Sequence, residues 1–133
     1  MMPVFVDTSF WVALINPADQ LHAKAGEVRR RLSGASFVTS ELVLVEVLNY
    51  FASLRSRPLA AATVRDIVED QSIEVVPYTR DAFLAGLALY EARPDKGYSV
   101  TDCVSMLAMR ERGISEVLTH DHHFEQEGFT IML

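Results

Sequence analysis

The sequence predicts an α/β fold, with a mostly parallel central sheet covered by helices on both faces. Three observations carry that prediction. A short apolar run without polar alternation stands at residues 4–6, as in a strand buried on both sides, and further short strand-like segments recur at 36–39, 73–76 and 117–119. Segments with apolar residues at helical spacing separate them, and strands alternating with helices favour parallel pairing through crossover connections. No linker, repeat or low-complexity stretch interrupts the 133 residues, so they read as one domain, 1–133, with a single core.

Pro-Val-Phe-Val at 3–6 is the first short buried strand. Thr8 and Ser9 precede Phe-Trp-Val-Ala-Leu-Ile at 10–15, a short capped helix that stops near Asn16 and Pro17. A second helix follows Asp19, with Leu21, Ala25, Val28 and Leu32 on one face, and ends at Ser33-Gly34. Residues 36–39 form the next strand. Ser40 then starts a strongly apolar helix running to about Leu54, closed by the polar break Arg55-Ser56-Arg57-Pro58.

Helical spacing returns from Ala60 to about Gln71, with Val64, Ile67 and Val68 apolar. Residues 73–76 are strand-like, and Pro77 stops them. Thr79 caps a further helix whose buried stripe is expected to be Phe83, Leu84, Leu87 and Ala88. A loop at 94–97 leads to the helix begun by Ser99, which carries Asp102, Met106 and Leu107 and ends at Arg110-Glu111-Arg112-Gly113. Residues 117–119 are the next strand. Phe129, Ile131 and Leu133 alternate as a final edge strand.

Half the residues are apolar and 23% charged, which excludes a disordered chain. No apolar stretch approaches the ~20 residues that span a bilayer, and no basic segment with a long apolar one opens the chain, so a cytoplasmic protein without membrane attachment is expected. Cys103 is the only cysteine. It excludes an intrachain disulfide and a cysteine-based zinc site, and reads as a small core residue. The net charge of −6 argues against simple phosphate binding, although Arg29-Arg30-Arg31 and Arg55-Ser56-Arg57 are locally basic. Metal ions bound by carboxylates would offset much of that charge.

Four acidic residues point to chemistry. Asp7 ends the first strand, Glu46 interrupts the apolar helix after Ser40, Asp102 lies in the first turn after Ser99, and Asp121 follows the run at 117–120. In an open α/β sheet, reactive groups collect beyond the carboxyl ends of the strands, near a topological switch point. Each residue also has a plainer role. Asp7 could cap a helix, Asp102 completes the S-x-x-D form of a capping box, and Asp121 could be a turn residue. Glu46 is too far from its helix start to be a cap, and a carboxylate on an apolar face needs a partner. Glu41, in the first turn of the same helix, is explained by the helix dipole and left out of the site.

Hard oxygen donors favour Mg²⁺ or Mn²⁺, which would serve the hydrolysis of a phosphodiester. Thr8, Ser9, Thr39 and Thr119 are placed to orient carboxylates or bound water. His120, His122 and His123 flank Asp121 and, like His22, could bind a softer metal or touch phosphate.

The ordered set Val-Phe-Val-Asp-Thr-Ser at 4–9, Thr-Ser-Glu-Leu-Val-Leu-Val-Glu-Val at 39–47, Ser-Val-Thr-Asp-Cys at 99–103 and Val-Leu-Thr-His-Asp-His-His-Phe at 117–124 resembles PIN-domain ribonucleases, in particular the VapC-type toxins of toxin–antitoxin pairs. The resemblance implies a PIN-like three-layer α/β/α sandwich and an Mg²⁺- or Mn²⁺-dependent endoribonuclease. It carries metal-binding and catalytic roles onto Asp7, Glu46, Asp102 and Asp121, with Thr8 and Thr119 supporting them. It also implies an RNA substrate, a cognate antitoxin covering the acidic cleft, and a homodimer. The imidazole-rich segment 120–123 departs from the family pattern and bears on metal identity. Asp95, in the loop before Asp102, is read as a loop residue.

Other readings are a non-catalytic, metal-dependent RNA- or protein-binding module and a housekeeping RNA-processing nuclease. A haloacid-dehalogenase-like phosphohydrolase would want an Asp where Ser9 stands. A receiver domain would want a Lys near His120 and Asp121.

Overall fold

In the computed structural model, which describes residues 2–53 and 55–133, the first strand lies at the centre of the sheet. β1 (Val4–Val6) pairs on one side with β2 (Phe37–Ser40) and on the other with β4 (Glu116–Leu118). β3 (Ile73–Val76) flanks β2, and β5 (Thr130–Ile131) is the far edge, giving the order β3-β2-β1-β4-β5. Every pairing is parallel. The chain therefore steps outward from β1 to β3, then returns to lay β4 against the opposite side of β1. That reversal is the topological switch point, and it opens a crevice between the carboxyl ends of β1 and β4.

Right-handed crossovers put the helices of the outward steps on one face and those of the return on the other. α1 (Thr8–Ile15), α2 (His22–Arg31), α3 (Glu41–Tyr50) and α4 (Arg57–Glu69) pack among themselves. α5 (Arg80–Ala92) packs chiefly on α6 (Val100–Glu111), and the short α7 (His123–Gln126) leans on α6. The result is a three-layer α/β/α sandwich. Its core runs through Phe5, Val6, Val43, Val47, Met106, Met109, Val117, Leu118 and Phe124, all essentially without solvent contact. Burying a side chain of this size contributes roughly 1.5–3 kcal/mol.

Three helices start on the expected caps, whereas the expected Thr8–Ser9 cap of α1 is absent and Asp7 stands at that position. Ser40 Oγ accepts the Val43 amide, and Thr79 Oγ1 accepts the Ala82 amide. Ser99 and Asp102 form a complete capping box. α4 begins at Arg57 rather than Ala60, because a proline is tolerated in the first turn, where its missing N–H would have had no partner. α3 ends at Tyr50, and Leu54, its expected limit, lies outside the described residues. α7 was not expected.

The expected buried stripe of α5 is wrong. Phe83, Leu84, Leu87 and Ala88 are exposed, and the helix instead buries Gly86 and Leu89, with Ala82 and Arg93 half-buried on the same face. The reason is close approach. A Cβ at Gly86 would stand 2.5 Å from Val104 Cγ2, so only a residue without one lets α5 seat against α6. With apolar residues all round the helix, its periodicity could not choose between the faces.

Candidate metal centre

The β1–β4 crevice gathers the acidic residues from four separate places in the chain. Asp7 leaves the end of β1 with extended backbone and stands at the cap position of α1, but its carboxylate makes no capping bond. It is buried, 6% exposed, and receives the Thr119 hydroxyl at 2.9 Å from the end of β4. With its single proton given to Asp7, Thr119 Oγ1 accepts from the Asp121 amide (3.1 Å) and from the Ser9 hydroxyl (3.1 Å). Thr119 thus ties β4 to β1 and sets the Asp121 loop. Thr8, opening α1, donates to Glu46 Oε1 at 2.7 Å and so aims the half-buried Glu46 of α3 at the same edge.

Asp102 lies in the first turn of α6. Its Oδ2 accepts the Ser99 amide at 3.0 Å, which is the capping contact, and stands 3.3 Å from His123 Nδ1. The plain cap role and a place at the rim coexist in one side chain. Asp121 Oδ1 accepts the His123 amide at 3.0 Å, an Asx turn that starts α7 and folds the His123 ring back. His123 Nδ1 is then 3.2 Å from Asp121 Oδ1.

Donor atoms of Asp102, Asp121 and His123 all lie within 4.8 Å of one another. Among the described residues, Asp7 and Glu46 do not join that tight group. The rim therefore has two parts, an Asp102–Asp121–His123 cluster and an Asp7–Glu46 pair held by two threonines.

Electrostatics links the parts. Burial pushes the Asp7 carboxyl up to about 7; the Thr8 amide and Thr119 hydroxyl oppose this, while the negative charges of Asp102 and Glu46 add to it. Asp102 is also raised, first by burial, with Asp121 adding to the rise and the Ser99 amide and His123 resisting it. No Lys or Arg pairs with any of the four carboxylates among the described residues. Converging carboxylates, with Asp7 and Asp102 pushed up by burial and no cationic side chain paired to them, form a donor set suited to a divalent cation.

Thr39 donates to the Val6 carbonyl and accepts from Trp11 Nε1, so it joins strand to helix and touches no carboxylate. Glu41 is exposed and caps the Tyr78 amide. His120 is exposed, His122 pairs with Glu125, and His22 meets the Ala13 carbonyl. Only His123 of the four histidines enters the acidic cluster. The D-x-H spacing with a turn-forming aspartate was the available signal, and three adjacent candidates obscured it. Cys103 is fully buried and its thiol is pushed up by burial, as for a core residue. Asp95 is exposed in its loop. Beside the rim, Lys24, His120, His122 and Gln20 help line an open groove of about 700 Å³.

Known proteins match the chain as a whole. The PIN domain family model matches residues 4–129. The 23S rRNA-specific endonuclease VapC20 of Mycobacterium tuberculosis is 32% identical over 132 residues, covering 95% of each chain. The crystal structure of VapC20, a sarcin–ricin loop cleaving toxin, superposes with a TM-score of 0.85 at 28% identity, covering 96% of both chains. DNA-bound VapBC of Salmonella typhimurium shares the fold, with a TM-score of 0.69 at 18% identity over 99% of this chain and 98% of that one. The chain belongs to the PIN-domain family, in its VapC branch.

Proposed function

We propose that the chain is a metal-dependent endoribonuclease that hydrolyses phosphodiester bonds in a structured RNA, and that it is the toxin of a toxin–antitoxin pair. The observation that carries this reading is the convergence of Asp7, Glu46, Asp102 and Asp121 on the switch-point crevice without a cationic side-chain partner among the described residues. Similarity over 95% of each chain to an endonuclease specific for 23S rRNA supports an RNA substrate, with a ribosomal RNA loop as the first class to test.

Asp102, Asp121 and His123 would hold one divalent ion, with Asp7 and Glu46 completing the rim; Mg²⁺ and Mn²⁺ are the ions proposed. When bound, such an ion supplies Lewis-acid polarisation of a phosphodiester oxygen and favours water as a nucleophile near neutral pH. The chain's own contribution is positional. Thr119 fixes the Asp7 carboxylate, Thr8 fixes Glu46, and the Asx turn fixes Asp121 relative to Asp102.

No described helix is long and apolar enough to cross a membrane. The exposed face of α5, with Phe83, Leu84, Leu87 and Tyr90, offers an apolar surface for a protein partner. A second copy of the chain and a cognate antitoxin are the partners proposed.

The test is cleavage of 23S rRNA, and of a synthetic sarcin–ricin loop, by purified protein with Mg²⁺, with Mn²⁺ and with EDTA. Cleavage that needs a metal and disappears in Asp7→Asn and Asp121→Asn is expected. Metal binding without any cut RNA would leave a non-catalytic binding module as the better account.

A further inference from the structure

We infer that His123 is a nitrogen ligand of the metal centre, so that the site prefers a first-row transition ion, with Mn²⁺ as its probe, over Mg²⁺. The inference rests on the divalent-metal reading above and sharpens it.

The turn that carries the imidazole is fixed, and one aromatic contact holds the ring itself. Its own backbone amide is bound to Asp121 Oδ1, which fixes the backbone from which the ring projects. The next residue, Phe124, is fully buried and anchors that turn in the core. The ring also meets the edge of Tyr98 with centroids 5.3 Å apart, and Tyr98 is 4% exposed and donates its hydroxyl to Glu127. Glu127 is in turn clamped by Arg93 and Arg110. The fixed start of α7 and the Tyr98 edge contact thus support an orientation in which Nδ1 faces both carboxylates at 3.2–3.3 Å.

The donor set decides the preference. Mg²⁺ takes oxygen ligands in a near-ideal octahedron and sheds water reluctantly, whereas imidazole nitrogen favours later first-row ions. Two carboxylates and one imidazole within 4.8 Å therefore give Mn²⁺ an inner ligand that Mg²⁺ uses poorly.

The experiment uses the whole chain and needs no RNA. Mn²⁺ binding is followed by electron paramagnetic resonance, Mg²⁺ is titrated in competition, and pulsed spectra are read for nitrogen coupling to bound Mn²⁺. The wild type is expected to hold Mn²⁺ at least about tenfold more tightly than Mg²⁺. It should also show ¹⁴N coupling that changes to the ¹⁵N pattern in protein grown on ¹⁵N-histidine. In His123→Ala the coupling should vanish, and Mn²⁺ affinity should fall about tenfold while Mg²⁺ affinity changes by less than about threefold.

His123→Gln, which keeps a polar side chain, should give the same result if the alanine variant folds poorly. The labelled wild type reports the ligand without any substitution. Bound Mn²⁺ without nitrogen coupling would overturn the inference, as would equal losses of both ions. A wild type that binds neither ion, or an Asp102→Asn variant that binds as well as wild type, would overturn the metal reading itself and this inference with it.

Discussion

Glu127 and Asp7 are both carboxylates shut away from water, and the molecule treats them in opposite ways. Glu127, its side chain 6% exposed, receives Arg93, Arg110 and the Tyr98 hydroxyl, and these hold its carboxyl down at about 2. Asp7, also 6% exposed, has one hydroxyl and its neighbour's amide, faces further negative charge, and is pushed up to about 7. A buried carboxylate that brings its own counter-charges is a structural joint, here between the end of α5, both ends of α6 and the segment after α7. One left without them costs stability, and such a cost persists in a fold where the charge is used.

Substitution at either carboxylate tests the contrast between them. The largest effect is expected on cleavage. Asp7→Asn should reduce RNA cleavage by about 10²–10³-fold or more, the scale for losing one preorganised electrostatic group. Glu127→Gln, measured in the same assay at a temperature where it is folded, should lose far less. Comparable losses would erase the distinction between joint and site.

Stability against pH should separate the two next. The folded-state pKa of Asp7 lies above its ordinary 3.8, so the native chain keeps a proton that the unfolded chain has released. The stability this contributes is full below about pH 4 and is lost as pH rises towards 7. Glu127 runs the other way. Its contribution is full above its ordinary 4.5 and is lost as pH falls towards 2. Urea unfolding of metal-free protein from pH 2 to 8 checks both limbs. Asp7→Asn should flatten the limb between 4 and 7 and gain about 2–4 kcal/mol at pH 8. Glu127→Gln should flatten the acid limb.

At neutral pH, Glu127→Gln should cost about 1–2 kcal/mol by the same unfolding measurement. The arginines it leaves behind are part-exposed and recover water, so the full penalty of a broken buried pair is not reached. The smallest effect belongs to Glu41→Gln. It weakens one exposed contact to the Tyr78 amide, should cost less than about 1 kcal/mol, and should leave cleavage within about twofold.

The same contrast explains what could be read from the sequence. Asp7, Asp102 and Asp121 were legible because strand ends and helix starts are marked locally, by apolar runs and by Ser99, and parallel topology then brings those ends together. Glu46 was legible as a charge on an apolar helix. The Glu127 joint was not, because its partners come from Arg93, Tyr98 and Arg110, and no local pattern links them. The outward face of α5 was misjudged because Gly86, a residue with no side chain to signal burial, decides which side packs. The division of the rim, with His123 on one side and Thr8–Glu46 on the other, depends on one turn and one hydroxyl whose partners are set only in three dimensions.

The hydrogen bond from Thr119 to Asp7 spans 112 residues of chain. At about 5–20 residues per second, a ribosome that has made Asp7 needs roughly 6–20 seconds more before Thr119 exists. Contacts so distant in sequence also form late, since the intervening chain must first give up its freedom. Throughout that interval the nascent protein carries one half of its crevice and not the other. A chain built this way has no complete crevice until Thr119 has been made.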